Sequence, residues 1–190
     1  MQYDLTELIK KYKVDLSKFE PGLLQTYSEV SGEGKLYGLP ESINPHVMFY
    51  NKDLYDKFGV PYPKDGMTWN EAYEMSRRLT NFQDGIQFRG IGLFFRTIPT
   101  NNDASLPQID AKTERAAVNT AQWKLQFDNL KRFYEIPGML TGYKCGDGGT
   151  ELTAFYTDKN MGAVISPFSG YTRDGMEKTG IWSQCRSTSI

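Results

Sequence analysis

Three apolar runs, each beside a helix-patterned stretch, constrain this chain more than any other feature. They are His46-Val-Met-Phe-Tyr-Asn51, Gly90-Ile-Gly-Leu-Phe-Phe95 and Met161-Gly-Ala-Val-Ile165. A strand with one wet face alternates apolar and polar residues, whereas a strand covered on both faces reads as nearly continuous apolar sequence. Each run is therefore expected to be a buried strand. Lys35 to Leu39 reads as a further short strand, stopped by Pro40.

The intervening segments carry helical spacing. Asp4 to Tyr12 places Leu5, Leu8, Ile9 and Tyr12 on one side, and a second helix is expected over Leu23 to Val30, after Pro21-Gly22. Lys52 to Phe58 aligns Leu54, Tyr55 and Phe58 and meets a stop at Gly59. The loop from Val60 to Gly66, with its two prolines, is expected to be rigid and exposed. Thr68-Trp-Asn-Glu71 has the form of a capping box, in which the threonine hydroxyl takes a free N–H and the glutamate reaches back. The helix it opens should run to Leu79 and bury Trp69, Ala72, Tyr73 and Leu79. Asn119 to Glu135 repeats the pattern with Trp123, Phe127, Leu130 and Tyr134, and shorter helices are expected over Glu151 to Tyr156 and Tyr171 to Lys178. Strands alternating with helices predict an α/β fold with a mainly parallel sheet and helices on both faces.

Bulk properties narrow the function. A length of 190 residues fits one ordinary domain. Lys and Arg number 22 against 23 Asp and Glu, a formal charge of -1, which gives no electrostatic footprint for nucleic acid and no polybasic patch for anionic lipid. The start, Met1-Gln2-Tyr3-Asp4, has neither the basic nor the apolar region of a signal peptide, and no run approaches the ~18 apolar residues of a membrane span. Cys145 and Cys185 lack metal-ligand spacing, and His46 is the single histidine, which removes most zinc and triad chemistry. No metal and no cofactor is expected. Aromatic residues make up 14%, with 12 Tyr leading, a surplus suited to surfaces with an apolar face and a polar tip.

Candidate site residues gather at strand ends. Glu41-Ser-Ile-Asn44-Pro-His46 lies where one expected strand stops and another begins; Arg96 follows the second buried run; Phe168 and Tyr171 follow the third. In open parallel sheets ligands sit outside the carboxyl ends of strands, where rings stack on sugar faces and amides, Arg and carboxylates bind hydroxyls. The plainer alternatives are that Phe168 and Tyr171 anchor a helix to the sheet, and that His46 is a satisfied strand-edge histidine. Asp147, in Cys145-Gly-Asp-Gly-Gly149, lacks the alternating acidic ligands of a calcium loop, and Ser166-Pro-Phe-Ser-Gly170 does not match a serine nucleophile elbow. Three readings stay open: carbohydrate binding, a small α/β hydrolase using Asp147 or Glu41 as an acid, and a tyrosine-rich protein-interaction module.

Several blocks carry a resemblance. Gly34-Lys-Leu-Tyr-Gly-Leu-Pro40, Met48-Phe-Tyr-Asn-Lys-Asp-Leu54, Phe58-Gly-Val-Pro-Tyr-Pro63 and Thr68-Trp-Asn-Glu71 occur in this order at close spacing, followed by the segment Ala154 to Phe168. Together they resemble the family 1 extracellular solute-binding proteins, the sugar-binding subunits of ABC importers. The resemblance implies two α/β lobes joined by a hinge that closes on ligand. On that pattern, residues 1–43 end the N-terminal lobe and lead to the hinge, 44–181 form the C-terminal lobe, and 182–190 are an atypical tail. It implies a first hinge crossing over Glu41 to His46, a ligand contact at Asn44 beside that crossing, a stacking aromatic from Phe168 or Tyr171, and a supporting contact from Arg96. It also implies no catalytic step, a sugar or oligosaccharide ligand, and the importer's membrane subunits as partners. The full-length parent would work outside the cell, at the surface or in the periplasm, touching membrane only through a lipid anchor. One lobe alone is expected to bind weakly or not at all, because a closing trap draws affinity from both walls.

Overall fold

The computed structural model describes residues 3–30, 34–41, 46–93, 104–110, 112–139 and 149–167. The chain divides into two compact units, Met1–Asn44 and Pro45–Ile190.

In the first unit, α1 (Thr6–Lys11), a 3-10 turn (Leu16–Lys18) and α2 (Pro21–Val30) follow one another. Asp4 opens α1 by accepting from the Thr6 amide and hydroxyl at 2.9 and 2.6 Å, and no residue of α1 is buried. The Leu5 amide donates to the Leu36 carbonyl at 2.7 Å. Lys35 to Leu39, expected as a strand, is irregular. Gly38 lies against the Tyr27 ring, 3.3 Å from where a Cβ would stand, so this segment packs by close approach rather than by laddering.

The second unit holds β1 (His46–Tyr50), α3 (Lys52–Lys57), α4 (Trp69–Leu79), β2 (Asn81–Gln83), β3 (Ile86–Gly92), β4 (Ile109–Asp110), β5 (Arg115–Ala116), α5 (Ala121–Tyr134), α6 (Gly149–Tyr156) and β6 (Met161–Pro167). Among the described residues the main sheet has the order β1-β6-β3-β2, and β4 and β5 form a separate two-stranded ribbon. Both faces of β1 are covered, which is why its sequence does not alternate. Met48 and Tyr50 join a cluster with Tyr55, Ala72, Leu79, Ile91, Leu130 and Phe133 from α3, α4, β3 and α5. Val47 and Phe49 join Ala154, Phe155, Met161 and Val164, toward α6. Fully burying a Val, Leu, Ile, Phe or Met side chain of these clusters contributes about 1.5–3 kcal/mol.

The α/β class and the helices on both faces match the sequence reading, but the sheet is mixed rather than mainly parallel. β3 runs parallel to β6, while β1 pairs antiparallel to β6 and β2 antiparallel to β3. The β2–β3 link explains one reversal. Asp84 and Gly85, at φ 54° and 78°, form a two-residue hairpin turn that only antiparallel strands accept. The second strand consequently begins four residues before the expected Gly90 and ends at Gly92.

Local chemistry fixes the helix ends. Asn51 caps α3 by accepting from the Asp53 and Leu54 amides at 3.1 and 3.4 Å. Gly59, at φ 60°, ends it: its amide reaches the Asp56 carbonyl at 3.2 Å and the Val60 amide reaches Tyr55 at 2.9 Å. That double bond is the Schellman stop, which needs a residue at ease with positive φ. Thr68 and Glu71 form the full capping box of α4, with the Thr68 amide 2.7 Å and the Glu71 amide 3.3 Å from their acceptors. Trp69 and Tyr73 are only partly buried, while Ala72, Ser76 and Leu79 face inward. In α5, capped by Thr120, Trp123, Leu130 and Phe133 are buried, and the Trp123 indole donates to the Pro107 carbonyl at 3.1 Å. The expected helix over Tyr171 to Lys178, and both cysteines, lie outside the described residues.

Candidate functional site

The strand register brings three chain ends to one edge of the sheet. β3 and β6 are parallel neighbours, with Arg89 opposite Met161 and Gly92 opposite Val164, so their carboxyl ends lie side by side. β1 is antiparallel to β6, with His46 opposite Pro167, so its amino end falls on the same edge. The described residues nearest the three sequence neighbourhoods singled out as candidate sites, His46, Leu93 and Pro167, therefore lie toward one edge of the sheet.

His46 is half-buried at this edge, and Ser166 beside it is buried. Leu93, 3% exposed, follows β3, and the Tyr134 hydroxyl donates to its carbonyl from the last turn of α5. Gly92 is tightly enclosed: a Cβ there would stand 2.5 Å from Met161 Sδ and 3.3 Å from Glu151 Cγ. Where β2 runs out opposite Phe88, α4 completes the bonding of β3. Its Ser76 hydroxyl accepts from the Ile91 amide at 3.0 Å, and Thr80 just beyond accepts from Gly90 at 3.1 Å. These two bonds tie α4 and the residue after it to the β3 backbone.

Of the sequence-predicted site residues, His46 stands on this edge, and Glu41 is exposed in the first unit. Asn44, Arg96, Phe168 and Tyr171 lie outside the described residues, as does Asp147. Glu151 is fully buried in α6, where its side chain lies against Gly92. Tyr134 entered the sequence reading only as one member of a helix stripe. Its polar tip at the end of that stripe was the available signal for its bond to the strand end.

A shallow depression of ≈ 270 Å³ lies elsewhere, between the α3–α4 loop and the first turns of α4, lined by Tyr62, Lys64, Met67, Glu71 and Met75 among others. Tyr62 is held there by donating to Asp56 at 2.7 Å, and this bond to a carboxylate raises its phenol above the ordinary range. Its ring sits 5.6 Å from Tyr50 and 6.2 Å from Tyr55, so part of the tyrosine surplus forms a cluster that runs from surface to core. Among the described residues no group of three or more His, Cys, Asp and Glu is placed to hold a metal ion, and no helix is long and apolar enough to cross a membrane.

The family model described as "Bacterial extracellular solute-binding protein" matches residues 3–134. The arabinooligosaccharide-binding protein of Bacillus subtilis (strain 168) is 41% identical over 168 residues, covering 86% of this chain and 35% of that protein. The sn-glycerol-3-phosphate-binding periplasmic protein UgpB of Rhizobium meliloti (strain 1021) is 27% identical over 183 residues, covering 92% of this chain and 41% of its own length. Among solved structures, the ABC substrate-binding protein Lmo0181 from Listeria monocytogenes in complex with cycloalternan superposes with a TM-score of 0.66 at 19% identity, covering all of this chain and 48% of that one. At that identity the likeness is one of fold. The chain spans less than half the length of each of these relatives.

Proposed function

We propose, from the premise that this chain belongs to the bacterial extracellular solute-binding proteins, that it supplies one wall of a carbohydrate-binding cleft for an ABC importer. Three chain exits on one sheet edge carry this reading, since a ligand outside the carboxyl ends of β3 and β6 would meet all three at once. The 41% identity to a protein named for arabinooligosaccharide binding supports an oligosaccharide as the ligand class. In this reading Phe168 and Tyr171 stack on the sugar, and Asn44, Arg96, Glu41 and His46 bind its hydroxyls.

No chemical step is required of these residues. The relatives are named as binding proteins, and Glu151, the one acid among the described residues that is buried against β3, is sealed from solvent. Residues 1–43 would end a first lobe and lead to the hinge, 44–181 would form the second lobe, and 182–190 would be a tail outside it. The membrane subunits of the importer would be its partners, and the working protein would act outside the cell, held there by a lipid anchor or free in the periplasm.

The test is a thermal-shift and calorimetric titration of the purified chain with arabinotriose, maltotriose, D-mannitol and sn-glycerol 3-phosphate. A ligand that binds the native state raises the melting temperature by mass action. A rise with an oligosaccharide, lost in Phe168→Ala or Tyr171→Ala, is the expected result. A cooperative melt that no compound shifts would overturn the assignment of a working half-site to this chain, and a shift with glycerol phosphate alone would replace the sugar by a phosphorylated polyol.

A further inference from the structure

Tyr62 stands at the outer end of the tyrosine cluster. Its ring lies 5.6 Å from Tyr50 and 6.2 Å from Tyr55, and those two rings meet edge-on at 5.6 Å. Its hydroxyl donates to the Asp56 carboxylate at 2.7 Å, and the Lys52 ammonium sits 5.7 Å from the ring centre. The inner end of the cluster is different. Tyr55 is fully buried, and its hydroxyl faces the Met75 thioether at 3.9 Å, a weak acceptor and no base. These contacts favour one chemistry at Tyr62. A phenol gives up an electron most readily when its proton leaves too, because the radical left behind is then uncharged. The other route passes through a positively charged ring, which the Lys52 ammonium disfavours by repulsion. Asp56, already bonded to the hydroxyl, is placed to take the proton as a general base.

We propose that Tyr62 is an oxidative modification site, which nitrogen dioxide converts to 3-nitrotyrosine ahead of the more exposed Tyr3, Tyr12 and Tyr27. One nitrogen dioxide takes the electron from the phenol and becomes nitrite, while Asp56 takes the proton and passes it to water. A second nitrogen dioxide then forms a C–N bond at the ring carbon beside the one that bears oxygen. That carbon loses its hydrogen as a proton, which restores the aromatic ring. Exposure alone predicts the opposite order: Tyr3 and Tyr12 are each 68% exposed and Tyr27 43%, against 39% for Tyr62. The chemistry is independent of ligand binding at the sheet edge.

The experiment treats the folded wild type, the urea-unfolded wild type and Asp56→Asn with peroxynitrite in bicarbonate, a source of nitrogen dioxide. Nitration at each tyrosine is read by peptide mass spectrometry. In the folded wild type, Tyr62 is expected to be nitrated more than Tyr3, Tyr12 and Tyr27. Unfolding should abolish that preference, because it dissolves the contacts and keeps the sequence. Asn at position 56 can still accept the hydrogen bond but takes no proton, so in Asp56→Asn the nitration of Tyr62 should fall below that of all three. Equal or lower nitration of Tyr62 in the folded wild type overturns the proposal. So does a preference that survives in urea, which would belong to the local sequence. A full preference in folded Asp56→Asn overturns it as well, since the carboxylate would then play no part. Should Asp56→Asn fail to fold, the folded and unfolded wild type decide: a preference confined to the folded chain upholds the proposal, and any other result removes it.

Discussion

His46, the first residue of β1, stands opposite Pro167, the last residue of β6. The pairing puts the start of the second unit at the same edge where β6 and its parallel neighbour β3 come to an end. Segments more than a hundred residues apart in sequence thus share one border because β1 joins the sheet antiparallel. A parallel β1 would have sent His46 to the opposite edge.

The packing of α4 on β3 depends on Gly90. A Cβ at this position would fall inside the van der Waals envelope of Ser76, against its Oγ, Cα and carbonyl oxygen. Two of those three atoms are backbone, so no rotamer change relieves the clash, and the Ser76–Ile91 and Thr80–Gly90 bonds would be strained with it. Gly90→Ala is expected to cost about 3 kcal/mol, the upper part of the range for overpacking. Gly22→Ala is its control. That glycine is exposed in α2 with nothing within 4 Å of an added Cβ, so the change should be neutral or stabilise by up to about 1 kcal/mol. Urea denaturation of both variants decides, and equal midpoints would show that the close approach does not exist.

Two phenylalanines separate burial from exposure on the same sheet. Phe49 on β1 is 1% exposed and packs with Phe155 and Val164, whereas Phe82 on β2 is 67% exposed. Phe49→Ala should cost about 3–5 kcal/mol, the transfer and cavity terms together, and Phe82→Ala within about 0.5 kcal/mol of nothing. Denaturant midpoints read both, and a large loss in Phe82→Ala would mean that β2 is covered in the working protein.

The capping box gives a pH dependence with a definite sign. Glu71 accepts from the Thr68 amide and hydroxyl, each at 2.7 Å, and these bonds, the backbone one first, hold its carboxyl below the usual 4.5. A group depressed in the native state stabilises fully above its unfolded pKa and loses that contribution as pH falls through the native value. The stability difference between wild type and Glu71→Gln should be constant near neutral pH and shrink below about pH 4.5. Thr68→Ala removes the other half of the box and should cost about 1 kcal/mol at neutral pH. Paired denaturation curves at several pH values test both, and a difference that persists unchanged at acid pH would show that the carboxylate bonds are not made.

Much of this fold was legible because its strongest signals are local. The Thr68–Glu71 box, the Gly59 stop and the apolar run of β1 each state their structure within a few residues, and each is found where the sequence places it. What failed depends on distant partners. Lys35 to Leu39 looks like a strand, but strand formation needs an edge to pair with, and this segment packs on Tyr27 instead. The β2–β3 hairpin was announced by Asp84-Gly85, yet Asn81-Phe-Gln83 is exposed at all three positions and shows no apolar run. At the candidate site, the sequence located the strand ends but not their common edge, since that follows from pairing direction. Nor did it separate Tyr134 from its helix stripe, because a hydroxyl reaching a carbonyl 41 residues away leaves no periodic mark.

Tyr55 predicts the alkaline limit. Its ring is fully buried under α4, near Tyr50 and Met75, and burial first, then the nearby Tyr50, pushes its phenol well above the ordinary 10.0. A raised native pKa contributes its full stability below the unfolded value and loses it as pH climbs toward the native one. Above pH 10 the unfolded chain releases this proton and the native chain keeps it, so unfolding is favoured as pH rises. Tyr55→Phe cannot release that proton. The stability difference between wild type and Tyr55→Phe should therefore stay flat from about pH 8 to about pH 10 and then move steadily against the wild type up to about pH 11.5. The subtraction matters because the exposed Tyr62, also raised by its bond to Asp56, titrates in both proteins and cancels. A difference that stays flat across the whole range would mean that Tyr55 ionises while the protein is folded, and that the cluster joining α3, α4 and β1 admits water.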